Sequence, residues 1–309
     1  MRGRISFRPG AIQHIYQNTV DGILIFYSRW DALVFFTTLS VAARRYDIRI
    51  LGICLMADHI HILAEAPCKK ILDSFVCLYT SWFVRQYNMW YGLTGSLFNP
   101  RYGLASKVTD KDIRSAIAYL YNNPVERQLC RQAEQAHWNF LAYADNPYPF
   151  SQPIRLDKAR APMRRAVEEV RAARKEDRPL NHAQLKRITA KLNPLEQQQL
   201  TDFIITSYNC VDYPDLFYRF GDYTSLITAI HTTAGSEYAI REDFVGRSDT
   251  IYRQITEFLL QSHRIGSIEE LLRLPMEERL GMVAPLNLRT GAWRRQIEKY
   301  LHLPPGRQG

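Results

Sequence analysis

Apolar and polar residues alternate with a period of two in "AIQHIYQNTV" (residues 11–20), the signature of a half-buried strand. "IRILGICLM" (48–56) and "HIHILAE" (59–65) read as two further strands, separated by the turn-like pair Ala57-Asp58. Two longer stretches have the length and spacing of helices, "WDALVFFTTLSVAARRY" (30–46) and "KKILDSFVCLYTSWFVRQYNMW" (69–90). A loop rich in Gly, Asn and Pro follows, then the short strand "ASKV" and the helix "TDKDIRSAIAYLYNN". That helix opens on Thr109 with Asp112 three residues later, a variant of the capping box. The resulting order β-α-β-β-α-β-α predicts an α+β, ferredoxin-like domain, an antiparallel sheet with helices on one face.

The pattern changes near residue 150. "DNPYPFSQP" (145–153) holds three prolines in nine residues, and reads as a domain exit. From Arg155 to Lys191 twelve Lys and Arg stand against five Asp and Glu, a local net of +7. The expectation for 151–194 is therefore a basic linker built on a solvated helix. Beyond Asn193, apolar residues recur at helical spacing in "LEQQQLTDFIITSYN", "SDTIYRQITEFLLQSH" and "SIEELLRLPMEERLGMV", so residues 195–309 are expected to be all-α. The aromatic run "YNCVDYPDLFYRFGDY" reads as core and packing surface. Residues 284–303 have the pattern of a helix-turn-helix, with a turn at Thr290-Gly291 and Arg294, Arg295 and Lys299 on the second helix. A surface helix after a turn has the same pattern.

Bulk properties narrow the function classes. The 309 residues, 46% of them hydrophobic, suffice for a substantial core. Forty Lys and Arg against 31 Asp and Glu give a formal charge of +9, which favours an anionic partner such as nucleic acid. Five cysteines without CxxC spacing argue against a disulfide framework and a zinc knuckle, and fit a reducing cytoplasm. No stretch has the length of apolar sequence that a membrane span needs, and the N-terminus lacks the apolar core of a signal peptide.

In a strand, residues i and i+2 share a face, so His59 and His61 project together while Ile60 and Ile62 point the other way. Two such imidazoles can share a divalent cation, or can be polar side chains that happen to alternate on a half-exposed sheet. In "AIAYLYNNPVERQLC" (116–130), Tyr119 and Asn123 lie one helical turn apart on one face. Pro124 makes helical geometry unfavourable for Asn123, so the helix is expected to end or bend there. Asn123 would then offer a side-chain carbonyl beside a phenol able to attack phosphorus; a packed tyrosine near a helix end is the plainer alternative.

From about Arg4 to Tyr148 the sequence resembles the REP-associated tyrosine transposases, within the HUH single-tyrosine transposases of bacterial insertion sequences. The segments that carry the resemblance are "FRPGAIQHIYQNTVDGILIF", "ILGICLMADHIHILAE", "LFNPRYGLASKV" and "YLYNNPVERQL", in the family's order. It implies that residues 1–150 form the HUH domain, that Tyr119 is the nucleophile, and that His59, His61 and Asn123 hold a Mg²⁺ or Mn²⁺ ion. It also implies cleavage and rejoining of single-stranded, hairpin-forming DNA through a 5′-phosphotyrosine. Arg101 and Lys107 become candidate phosphate contacts, Arg294 and Arg295 candidate contacts of the second module, and His14 a DNA contact or a filler of the sheet surface. Asp58 departs from the family's usual Asn, and Glu126 from its frequent Arg. A non-catalytic or domesticated hairpin-binding protein of the same fold is the alternative, and the sequence leaves dimerisation open.

Overall fold

The structure, a computed structural model, describes residues 7–233, 250–262 and 265–306. The first residues of the resembling stretch, 4–6, and Ser248, Asp249 and His263 of a predicted helix lie outside them. Strand β1 (Ile12–Asn18) leads to helix α1 (Arg29–Arg45), the hairpin β2 (Arg49–Leu55) and β3 (His59–Glu65), helix α2 (Lys69–Tyr91), strand β4 (Gly103–Lys107) and helix α3 (Asp110–Glu126). The sheet order is β2-β3-β1-β4, with every neighbouring pair antiparallel. This is the ferredoxin-like arrangement expected from the alternation of patterns.

Both central helices begin where a side chain can accept from an orphaned amide. Ser28 and Asp31 form a capping box on α1, as Thr109 and Asp112 do on α3. Helix α2 stops at Gly92, whose φ of 67° is the left-handed conformation that glycine adopts without a Cβ clash.

The register separates the two faces of the sheet. Tyr16 lies opposite His61 and Asn18 opposite His59, so these four share a face, and Gln17 points to the other with Ile60 and Ile62. The face bearing Gln17 is covered by α1 and α2. Tyr79 of α2 donates to Gln17 Oε1 at 2.7 Å and packs edge-on against Phe35 of α1. Helix α3 covers the opposite, histidine-bearing face: a Cβ at Gly52 would stand 3.3 Å from Leu120. Two helices thus share one face as the pattern predicts, and the third lies across the sheet from them.

The segment expected to be a basic linker is instead packed. Helices α4 (Ala161–Lys175) and α5 (His182–Thr189) bury Met163, Ala166, Val167, Val170, Ala173, Leu185 and Ile188 in the same core as the sheet. Each large apolar side chain so buried contributes roughly 1.5–3 kcal/mol, enough to hold a helix whose other face is cationic. A buried polar network fastens α5 further. Asp31 Oδ1 accepts from Tyr91 at 2.9 Å and lies 2.9 Å from His182 Nε2.

The C-terminal region is built of helices, as its periodicity predicts, with Val211 in an isolated bridge to Ile50 of the sheet. Helices α6 (Pro194–Tyr208), α7 (Tyr213–Phe220) and α8 (Tyr223–Thr233) extend the main core through Leu200, Ile204, Tyr208, Leu216 and Leu226. Tyr208 and Tyr213 of the aromatic run are buried there, and Tyr218 is exposed. Helices α9 (Thr250–Gln261), α10 (Ile268–Arg273), α11 (Met276–Gly281), α12 (Val283–Thr290) and α13 (Arg294–Tyr300) build a second, smaller core around Ile255, Leu259, Leu286 and Ile297, to which the N-terminal part contributes Leu24. Leu272 of α10 still packs in the main core, so the two cores meet at that helix.

Candidate active site

Four of the residues singled out in the sequence meet on the α3 side of the sheet. The His59 and His61 rings lie 5.1 Å apart, and the Tyr119 ring packs edge-on against His61 at 5.7 Å and His14 at 5.9 Å. Asn123 stands one turn beyond Tyr119 on α3, its side chain near enough to His61 to favour the ring's protonated form.

Helix α3 does not end at Asn123 as Pro124 predicts; it continues to Glu126. Proline removes the amide that would bond the carbonyl four residues earlier, at Leu120. The Asn123 side chain compensates, donating from Nδ2 to Leu120 O at 3.4 Å and to Tyr119 O at 2.9 Å. The amide nitrogen is committed to the helix, which leaves the carbonyl oxygen as the group that Asn123 can offer to a ligand.

Each histidine of the HIH pair has a partner for one ring nitrogen. Asp58 Oδ1 lies 2.7 Å from His59 Nδ1, and His14 Nε2 lies 3.1 Å from His61 Nδ1. An ionised carboxylate only accepts, so the proton of the first bond resides on Nδ1 of His59. Its Nε2, buried and without a hydrogen-bond partner, is the lone-pair donor of the ring's neutral form. Burial, aided by Lys107, pushes the His14 imidazole down to about 3. Burial, with the charges of His59 and His14, holds His61 well below the usual histidine range. Burial would raise the Asp58 carboxyl, but His59 and Lys299 outweigh it and keep the group ionised well below the usual carboxylate range.

Two imidazoles on one sheet face, one with an orphaned nitrogen and an orienting carboxylate behind it, together with an amide oxygen, fit a hard divalent cation. No group of three or more His, Cys, Asp or Glu among the described residues is arranged to hold a metal ion; occupancy would rest on the His59 and His61 pair and the neutral Asn123. The cluster is closed. Tyr119 is 3%, His59 4% and His61 1% exposed.

Of the other expected residues His14 joins the cluster, and the rest fall elsewhere. His14 is buried against His61 and is neither a surface filler nor turned to solvent. Lys107 ends β4 opposite Ile12, near His14, and Arg101 is exposed in the loop before β4. Helices α12 and α13 form the predicted pair around Gly291, but α13 is docked on the N-terminal part of the chain. Tyr300 O accepts from the Tyr27 hydroxyl, Leu24 N donates to Lys299 O at 3.2 Å, and Arg295 donates to Asp21 O. Arg295 is used internally, and Arg294 is ion-paired with Glu298 at 2.8 Å while remaining exposed. Sequence reasoning missed Lys299 as a neighbour of the site: its Nζ lies 3.1 Å from Asp58 Oδ2. Separated from Asp58 by 241 residues, it carries no local signal.

All five cysteines are free thiols, and no helix among the described residues is long and apolar enough to cross a membrane. None of the curated proteins matches the chain. Among solved structures, one described as "Structure of the REP associates tyrosine transposase bound to a REP hairpin" is similar at 15% identity and a TM-score of 0.38, over 47% of this chain and 84% of that one. Residues 25–123, which hold His59, His61, Tyr119 and Asn123, match the family described as Transposase IS200 like, and at that level the resemblance read from the motifs is borne out.

Proposed function

We propose that the chain is a metal-dependent, single-tyrosine transposase that cuts and rejoins single-stranded, hairpin-forming DNA. The observation that carries the reading is the convergence of Tyr119, His59, His61 and Asn123, from one helix and one strand, inside the segment that matches the transposase family. His59 Nε2, a nitrogen of His61 and the Asn123 carbonyl would hold Mg²⁺ or Mn²⁺, which supplies Lewis acidity and a template for phosphate oxygens. The Tyr119 phenol, with a reference pKa near 10, loses its proton as its oxygen bonds to phosphorus. The P–O3′ bond breaks, the 3′ oxygen takes up a proton, and a 5′-phosphotyrosine remains. That ester conserves the phosphodiester energy, so a 3′-OH can reverse the step without ATP. Exposed Arg101 and the half-buried Lys107 are suited to phosphate contact on the same domain.

A second reading, a DNA-binding protein of the same fold that does no chemistry, is favoured by the closure of the cluster, since a phosphate reaches Tyr119 only after local opening. One experiment separates the two. The chain is incubated with single-stranded DNA carrying the repeat that flanks its own gene, with Mn²⁺, and resolved on a denaturing gel. Catalysis predicts a covalent adduct that is lost in Tyr119→Phe and in the double variant His59→Ala, His61→Ala, with DNA binding by Tyr119→Phe nearly unchanged. An adduct that persists in Tyr119→Phe refutes the nucleophile, and binding without any adduct establishes the second reading.

A further inference from the structure

We propose that Lys299, from the C-terminal helix α13, is a positioning residue of the active site, acting through Asp58 on His59. The inference rests on the reading of His59 as a ligand. The Asp58 carboxylate divides its two oxygens, with Oδ1 at 2.7 Å from His59 Nδ1 and Oδ2 at 3.1 Å from Lys299 Nζ. A carboxylate held at both oxygens cannot rotate about its terminal bond, so it fixes the plane and the tautomer of the imidazole it faces. The backbone at Asp58 is pinned as well: its carbonyl accepts from Thr19 N at 3.0 Å and from Thr19 Oγ1 at 2.9 Å. The chain also leaves a passage for the lysine. Gly22 has a φ of 66°, and a Cβ there would stand 2.7 Å from Lys299 Cε and 2.8 Å from Nζ.

The consequence is that the segment matching the transposase family does not contain its whole site. Residues 25–123 supply His59 and Asp58, and the charge that holds Asp58 in place arrives from α13 of the second core. Asp58 in place of the family's Asn then has a physical reason. A neutral amide could accept from His59 unaided, whereas a carboxylate with little solvent contact needs a cation on its free oxygen.

The test uses the full chain and two readouts, the His59 Nδ1–H resonance by ¹⁵N–¹H NMR and the Mn²⁺ dissociation constant by calorimetry. Lys299→Met is expected to broaden or abolish the Nδ1–H resonance and to raise the Mn²⁺ dissociation constant by about 10-fold, the usual effect of losing a group behind a metal ligand. Lys299→Arg should restore part of both. In the Asp58→Asn background the same Lys299→Met change should alter Mn²⁺ affinity by less than about 2-fold, because the amide needs no counter-charge. His302→Ala is the docking control: it removes the 2.6 Å bond between His302 Nε2 and Leu24 O without touching Asp58, and should leave both readouts as in the unaltered chain. Unchanged readouts in Lys299→Met overturn the proposal, as does an equal loss in His302→Ala, which would make Lys299 a docking contact alone. If the unaltered chain binds no Mn²⁺, the metal reading falls, and the His59 resonance by itself decides whether Lys299 positions the ring.

Discussion

Asn123 has two tasks, and Pro124 gives a way to separate them. Asn123→Ala removes the Nδ2 donor from Leu120 O, a carbonyl whose ordinary partner Pro124 has already abolished. One buried carbonyl left without a donor costs about 1–2 kcal/mol, and the lost Nδ2 bond to Tyr119 O about 1 kcal/mol more. Urea unfolding followed by circular dichroism should therefore show Asn123→Ala destabilised by about 2–3 kcal/mol. Pro124→Ala restores a backbone N–H aimed at Leu120 O. In the double variant it should return about 1–2 kcal/mol of that loss, while Mn²⁺ affinity stays as low as in Asn123→Ala, since the amide oxygen is not replaced. If the two substitutions simply add, to within about 0.5 kcal/mol, the side chain is not substituting for the missing amide. If Mn²⁺ affinity returns with stability, Asn123 is a helix device and not a ligand.

Two other perturbations follow from contacts away from the reacting groups. At Gly103 an added Cβ would fall 1.8 Å from the Tyr16 ring, which lies across that glycine on the neighbouring strand. Gly103→Ala should displace the ring and cost about 1–3 kcal/mol, read as a lower thermal midpoint; an unchanged midpoint would mean that Tyr16 swings aside freely. Burial holds the His302 imidazole down to about 4 against the ordinary 6.5. A base whose folded value is depressed binds fewer protons when folded, so its contribution is present above pH 6.5 and is lost as pH falls toward 4. His302→Gln should flatten the fall in stability across that window, and a profile parallel to that of the unaltered chain would remove His302 from its cause.

The elements that could be read from sequence are those whose signal is local. The alternation in "AIQHIYQ" and the period of "KKILDSFVCLYTSWFVRQYNMW" fix β1 and α2 to within about two residues, because the pattern that buries each face repeats along the strand or helix itself. The HIH pair and the Tyr119 to Asn123 spacing are local in the same sense. Helix α4 was legible in part. Met163, Ala166, Val167, Val170 and Ala173 recur at helical spacing, yet the density of Arg and Lys points to a solvated linker, because charge count says nothing about which face it occupies. The path of α3 through Pro124 could not be read from propensity, which has no means of weighing a side-chain amide standing in for a backbone one. His14 and Lys299 lie 47 and 241 residues from their partners, and only the assembled sheet and the docked second core bring them there.

The helix that carries Tyr119 is held on both sides. Its Leu120 and Tyr121 face Gly52 of the sheet, and on the side away from it Asn122 Nδ2 donates to Ile230 O of α8 at 2.7 Å. A helix braced in this way behaves as a fixed post and not as a hinge. Its amides from Ala116 to Asn123 should be among the last to exchange with deuterium, opening only when the main core itself unfolds. Access to the phenol would then be governed by slower or faster breathing of whatever lies over the post, and the rate of that breathing, more than the intrinsic reactivity of the tyrosine, would set the tempo at which a DNA strand can be joined to the chain.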